Sequence, residues 1–156
     1  MCILIEHDNG YILYDTGSNM FSMEGYWPEN LQNSYELHQT VEQNIEVQLA
    51  MCGVRKEQID TVILSHMHFD HTGNIQLFKN ADIYVPKDDF MMAQTTVRLC
   101  DDPDTYCGYC KNDMDAVYTN EVYGSPAKAS GLLFDRTQFF KSIERVRMLQ
   151  KNTMRS

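Results

Sequence analysis

The chain has 156 residues, 43% of them apolar, and carries 13 basic against 22 acidic side chains, a formal charge of −9. That length and composition read as a single globular domain over 1–156, and the acidity excludes the basic face that a nucleic-acid partner or an anionic membrane would require. No run approaches the roughly eighteen apolar residues of a spanning helix, and the opening MCILIEHDNG lacks the basic start and long apolar stretch of a signal peptide, so the expected compartment is the cytoplasm.

Taken in chain order, CILIEHDNGYILYDTGS predicts two short strands around the turn Asp8-Asn9-Gly10, the second running into Asp15-Thr16-Gly17. Residues 18–38 are polar and aromatic without a period and read as a loop. TVEQNIEVQLAMCG predicts a helix: Thr40 and Gln43 form a capping-box pair, Val41, Ile45 and Leu49 share a face, and Gly53 stands where a helix-ending glycine belongs. In IDTVILSH the run Val62-Ile63-Leu64 predicts a strand buried on both faces. ADIYVP predicts another short strand and KDDFMMAQ a helix. From about 95 to 114 the chain is irregular and rich in Asp, Cys and Tyr. DRTQFFKSIERVRMLQKN predicts a closing amphipathic helix with Phe139, Ile143 and Val146 on one stripe. Strands alternating with helices give an α/β (α+β) architecture. Cys2, Cys52, Cys100, Cys107 and Cys110 are odd in number and unevenly spaced, which in a reducing compartment reads as thiols or ligands rather than a disulfide framework.

Chemistry concentrates in SHMHFDHTG, residues 65–73, where His66, His68, Asp70 and His71 directly follow the apolar strand. Four polar side chains at the end of a buried strand require a reason to be there. Imidazole and carboxylate together are the donor set expected of zinc, and they also suit iron or manganese.

HMHFDH fits the HxHxDH motif of the metallo-β-lactamase superfamily, and Asp15-Thr16-Gly17 after a hairpin resembles that superfamily's upstream DTG signature. Within it the chain most resembles the N-acyl homoserine lactonase group, through LSHMHFDHTGNIQLFKNADIYVPKDDF, through DAVYTNEV at 115–122 and through the final segment. The resemblance implies an αββα sandwich, here incomplete in its second half, and one or two zinc ions. By resemblance His66 and His68 would hold one metal, Asp70 and His71 the other, and Asp115 would bridge them. A metal-activated water would then open a lactone or other ester, with Tyr118 donating to the developing oxyanion and Asp70 passing a proton to the leaving alkoxide. Asp15 would orient a histidine ligand from behind.

Two further family histidines have no counterpart, because no histidine stands beyond His71, and His7 and His38 lie upstream. The same residues therefore also suit a catalytically silent metal-binding remnant, or a hydrolase of another ester or thioester. Cys107-Gly-Tyr-Cys110, with Cys100 seven residues earlier, offers thiolates to replace the missing imidazoles or to bind a separate zinc. A half-sandwich would leave an apolar sheet face uncovered, so the expected partners are a small-molecule lactone or ester and a second copy of the chain.

Overall fold

Asp8 and Asn9 turn the chain back on itself, leaving His7 of β1 (Cys2–His7) opposite Gly10 of β2 (Gly10–Tyr14) in an antiparallel hairpin. Gly10 has φ +139°, and a Cβ there would run into the Asp60 carboxylate, so the position accepts only glycine. The computed structural model describes residues 1–119, 143–150 and 153–155. In it β2 pairs in parallel with β4 (Ile59–Ile63), and β4 pairs in parallel with β5 (Asp82–Tyr84). With β6 (Ile143–Gln150) antiparallel on the free edge of β1, the five-stranded sheet has the order β5-β4-β2-β1-β6.

Register explains where the core sits. Leu4 lies opposite Leu13, Leu13 opposite Val62 and Val62 opposite Ile83, and all four are buried. The neighbouring row Ile3–Tyr14–Ile63–Tyr84, one residue back in β1 and one residue on in the other strands, points the other way and is only half-buried. The buried row packs with Ile45, Leu49, Ile59, Met67, Ile75, Phe78, Met114 and Val117. Each such side chain contributes about 1.5–3 kcal/mol on leaving water.

Four stretches depart from the sequence reading. Residues 18–38 hold more than a loop: a 3₁₀ turn at Ser22–Glu24, α1 (Glu29–Ser34) entered from Pro28, and β3 (Glu36–His38), which pairs with β7 (Thr153–Arg155). These pieces are too short for a period to show, yet Trp27, Leu31 and Leu37 form a second core with Phe69 and Cys110. The helix expected over 40–53 is split. Gln43 accepts the Thr40 N–H over the 3₁₀ turn Val41–Gln43, Asn44 then breaks the chain at ψ 137°, and its side chain caps α2 (Ile45–Met51) by accepting the Glu46 N–H at 2.8 Å. Gly53 follows at φ +76°.

The irregular stretch expected from 95 is shorter than the composition suggests. α4 (Lys87–Leu99) continues five residues beyond Gln94 because Ala93 and Val97, four apart, keep burying the same stripe. After a turn at Pro103–Thr105 capped by Asp102, α5 (Lys111–Thr119) begins before the expected loop ends. Finally, residues 143–150 form strand β6 rather than a helix. Val146 and Met148 alternate with Arg145 and Arg147, a period of two as legible as the helical stripe, and the exposed edge of β1 supplies the backbone partners that decide between them. The part of that expected helix before 143 lies outside the described residues.

Candidate functional site

The last residues of β4 deliver the histidine segment to the carboxyl end of the sheet, and Asp15 at the matching end of β2 catches it. Asp15 adopts φ +57°, which aspartate tolerates better than most residues. From there its N–H donates to the Ile63 carbonyl at 2.8 Å, while its carboxylate accepts the Ser65 N–H at 2.7 Å, the Ser65 hydroxyl at 2.9 Å and His71 Nδ1 at 2.8 Å. Thr16 holds the other end of the segment, donating both its N–H (2.7 Å) and its hydroxyl (2.9 Å) to the His71 carbonyl. The Asn74 side chain donates to the Thr16 and Ser18 carbonyls. Gly73 lets the two strands of chain meet, since a Cβ there would stand 2.5 Å from the Asn19 nitrogen and 2.8 Å from the Gly17 oxygen.

Within HMHFDH the residues alternate. Met67 and Phe69 are buried, Met67 in the main core and Phe69 against Trp27 with ring centroids 4.5 Å apart. His66, His68 and Asp70, between and after them, are left partly exposed. A short helix α3 (Phe69–Thr72) then turns His71 back toward His66, so that those two rings lie 3.9 Å apart and His68 stands 4.7 Å from His66. Donor atoms of His66, Asp70 and His71 all lie within 4.8 Å of one another.

Charge follows geometry. Burial pulls the His71 imidazole down, but the hydrogen bonds it donates to the Asp15 and Asp70 carboxylates, with their charges, outweigh it and raise its pKa to about 9. Burial lowers His66, with the neighbouring imidazoles adding to the effect. Asp70 is raised by burial yet ends below its ordinary value because His71 bonds it at 3.3 Å. With Nδ1 tied to Asp15, His71 turns Nε2 into the cluster, where it meets Asp70 Oδ2 at 3.3 Å; Ser65 Oγ, 2.9 Å from His66 Nδ1, leaves the opposite nitrogen of His66, Nε2, for a ligand.

The remaining expected residues sit elsewhere. Asp115, on α5, stands outside the group formed by His66, Asp70 and His71; its half-exposed carboxylate is held by Lys111 at 2.5 Å and Arg98 at 3.4 Å. Tyr118 belongs to the same helix, and its side chain lies outside the described residues. Cys100, Cys107 and Cys110 are in no disulfide, and none joins a cluster of three or more metal donors among the described residues. The acid that α5 does turn inward is Asp113, fully buried, with the Tyr26 hydroxyl at 2.6 Å and the Thr72 hydroxyl at 2.7 Å. Thr72 Oγ1 also lies 3.1 Å from the His68 carbonyl. One hydroxyl proton cannot serve both acceptors, and a proton on Asp113 completes the chain from Asp113 through Thr72 to His68. Burial raises the Asp113 carboxyl to about 7, consistent with that assignment. Sequence spacing carried no signal for Asp113 or for Ser65, although Ser65 directly abuts the cluster.

The metallo-beta-lactamase superfamily model matches residues 1–87. The chain belongs to that superfamily. It is 31% identical over 115 residues to the N-acyl homoserine lactonase AiiB of Agrobacterium fabrum (strain C58 / ATCC 33970), a match covering 72% of this chain and 41% of that protein. Among solved structures it is similar to an N-acyl homoserine lactone hydrolase with the product N-hexanoyl-L-homoserine bound at its catalytic metal center, at a TM-score of 0.53 and 26% identity, covering 72% of this chain and 42% of the other. A quorum-quenching N-acyl homoserine lactone lactonase superposes with a TM-score of 0.52, also at 26% identity, over 72% and 39% of the two chains. The mixed α/β fold is that of these lactonases, and the chain spans about two fifths of the length of the relatives it matches. The superfamily's divalent metal fits the residues present, since two imidazoles and a carboxylate, a donor set that suits zinc, converge within 4.8 Å.

Proposed function

We propose that the chain is a metal-dependent hydrolase of the lactonase type, opening an N-acyl homoserine lactone or a closely related ester. The observation that carries this reading is the convergence of His66, Asp70 and His71 within 4.8 Å, on DTG and HxHxDH segments that resemble the superfamily's motifs. Those three residues would hold one divalent ion, zinc first and iron or manganese next, with His68 beside them as a further donor. Bound there, such an ion supplies Lewis acidity toward a carbonyl oxygen and brings a water's pKa toward neutrality.

The chain's own residues divide the remaining work. Asp15 keeps His71 in the tautomer that presents Nε2, and Ser65 does the same for His66. Asp70, poised as carboxylate beside His71, accepts a proton and returns it to the alkoxide that leaves as the ring opens. Tyr118 as oxyanion donor and Asp115 as a further ligand belong to the same reading. Asp115 would first have to leave Lys111 and Arg98, and that ion pairing favours a second reading, a domain that binds metal without turnover.

Elemental analysis and a ring-opening assay test both. Lactone hydrolysis releases a carboxylic acid, so a pH indicator follows it directly. One equivalent of zinc that disappears in the His66→Ala, His71→Ala double variant, together with acid release from N-hexanoyl homoserine lactone, supports the hydrolase. Zinc without acid release supports the binding domain. No zinc in either protein rejects both.

A further inference from the structure

Three of the four clustered donors are held by hydrogen bonds: His71 by Asp15, His66 by Ser65, and Asp70 by His71. His68 is the exception. No described side chain hydrogen-bonds its ring, so its orientation must come from packing. Besides the neighbouring His66 ring at 4.7 Å, two groups pack on it, both from the segment between α4 and α5. The ring of Tyr109, itself buried, meets the His68 imidazole edge-on at 5.4 Å and 60°. Gly108 lies so close that a Cβ on it would stand 3.4 Å from two atoms of the same ring and 3.5 Å from a third; its φ is +89°, and its carbonyl accepts the Phe69 N–H at 3.0 Å.

Tyr109 is in turn anchored. Its hydroxyl donates to Asp89 Oδ1 at 2.8 Å, and the other oxygen of Asp89 accepts the Met67 N–H at 2.5 Å. Asp89 stands in the first turn of α4, where the helix dipole favours a carboxylate. It therefore grips the backbone in the middle of HMH with one oxygen and the wall behind His68 with the other. The loop closes around His68 from Met67 through Asp89 and Tyr109, with the Phe69–Gly108 bond sealing the far side.

We infer that Tyr109, anchored by Asp89, is a positioning residue that fixes the His68 imidazole beside the donor cluster of His66, Asp70 and His71, so that the segment before α5 controls how the site binds its metal. The metal part rests on the reading proposed above; the positioning part does not. A metal-free readout keeps them separate. In the apo protein the His68 Cδ2–H should show a nuclear Overhauser contact to the Gly108 α-protons. Tyr109→Ala should abolish it while the contacts of His66 and His71 persist, and Tyr109→Phe, which keeps the ring, should retain it. Zinc affinity should fall about tenfold in Tyr109→Ala, a typical loss when a ligand's support is removed, and by less in Tyr109→Phe. The visible spectrum of the cobalt-loaded protein should change in the same order.

Should Tyr109→Ala fail to fold, Asp89→Asn, which weakens both grips, should broaden the His68 signals without moving those of His71. An unchanged Gly108 contact in Tyr109→Ala, or unchanged His68 signals in Asp89→Asn, overturns the inference. A wild-type chain that binds no zinc removes the proposed hydrolase while the apo contact still decides the role of Tyr109.

Discussion

The histidine segment and α5 both bring acids and their partners to one end of the sheet, but they are built on opposite terms. Around 65–74 the polar groups other than the His68 ring are mostly bonded to fixed partners: the Asp15 carboxylate accepts three bonds, and Thr16 and Asn74 close the ends. On α5, Asp113 is buried and paired with neutral hydroxyls, whereas Asp115, two residues on, is half-exposed and paired with cations. Sequence neighbours on a helix lie on different sides, so a shift of two positions exchanges an interior acid for a surface one. A charge held by converging dipoles is part of a site; the same charge held by flexible lysine and arginine is part of the surface.

Substitutions should separate these cases sharply. The largest effect is expected from Asp15→Ala, which strands the Ser65 N–H and frees His71. Urea unfolding should register a loss of about 3 kcal/mol, and bound zinc should fall with it.

Asp113→Asn comes next and depends on pH. The folded carboxyl titrates near 7, well above its ordinary value, because burial disfavours the anion. The folded state therefore binds the proton more tightly than the unfolded chain. The stability this contributes is complete below about pH 4, declines as pH rises to 7 and is gone above it. The Asn variant should lose that slope and exceed the wild type at pH 8 by about 1–3 kcal/mol; a parallel pair of stability–pH curves would show that Asp113 is ionised in the fold.

Ser65→Ala removes the hydroxyl shared by Asp15, His66 and His71 and should cost about 1 kcal/mol. The smallest effect belongs to Asp115→Ala, below about 0.5 kcal/mol. If Asp115→Ala emptied the metal site while Asp15→Ala left it loaded, the contrast drawn here would be inverted.

What could be read in advance follows from range. The hairpin and β4 are specified by neighbours in sequence, through turn chemistry and apolar runs, and both form where expected, although β4 buries one face and leaves Ile63 of the other half-buried. Asp15 was legible as the partner of a histidine only through family resemblance, for the contact spans 56 residues. Nothing local distinguishes Asp113 from Asp115 as the inward acid, because Tyr26 and Thr72 make that choice from 87 and 41 residues away. The same holds for β6, where two periods coexist in Ile143–Gln150 and only the open edge of β1 selects the strand.

The bonds from Thr16 to the His71 carbonyl join residues 55 apart in sequence, and they close over a parallel pairing of β2 with β4. Such long-range closures are slow, and they complete late. We expect the donor cluster to assemble late and to open early, which hydrogen exchange at the Thr16 amide would check. A metal bound there would act as a latch on the finished fold, slowing the rate of unfolding many times over while leaving the rate of folding almost untouched.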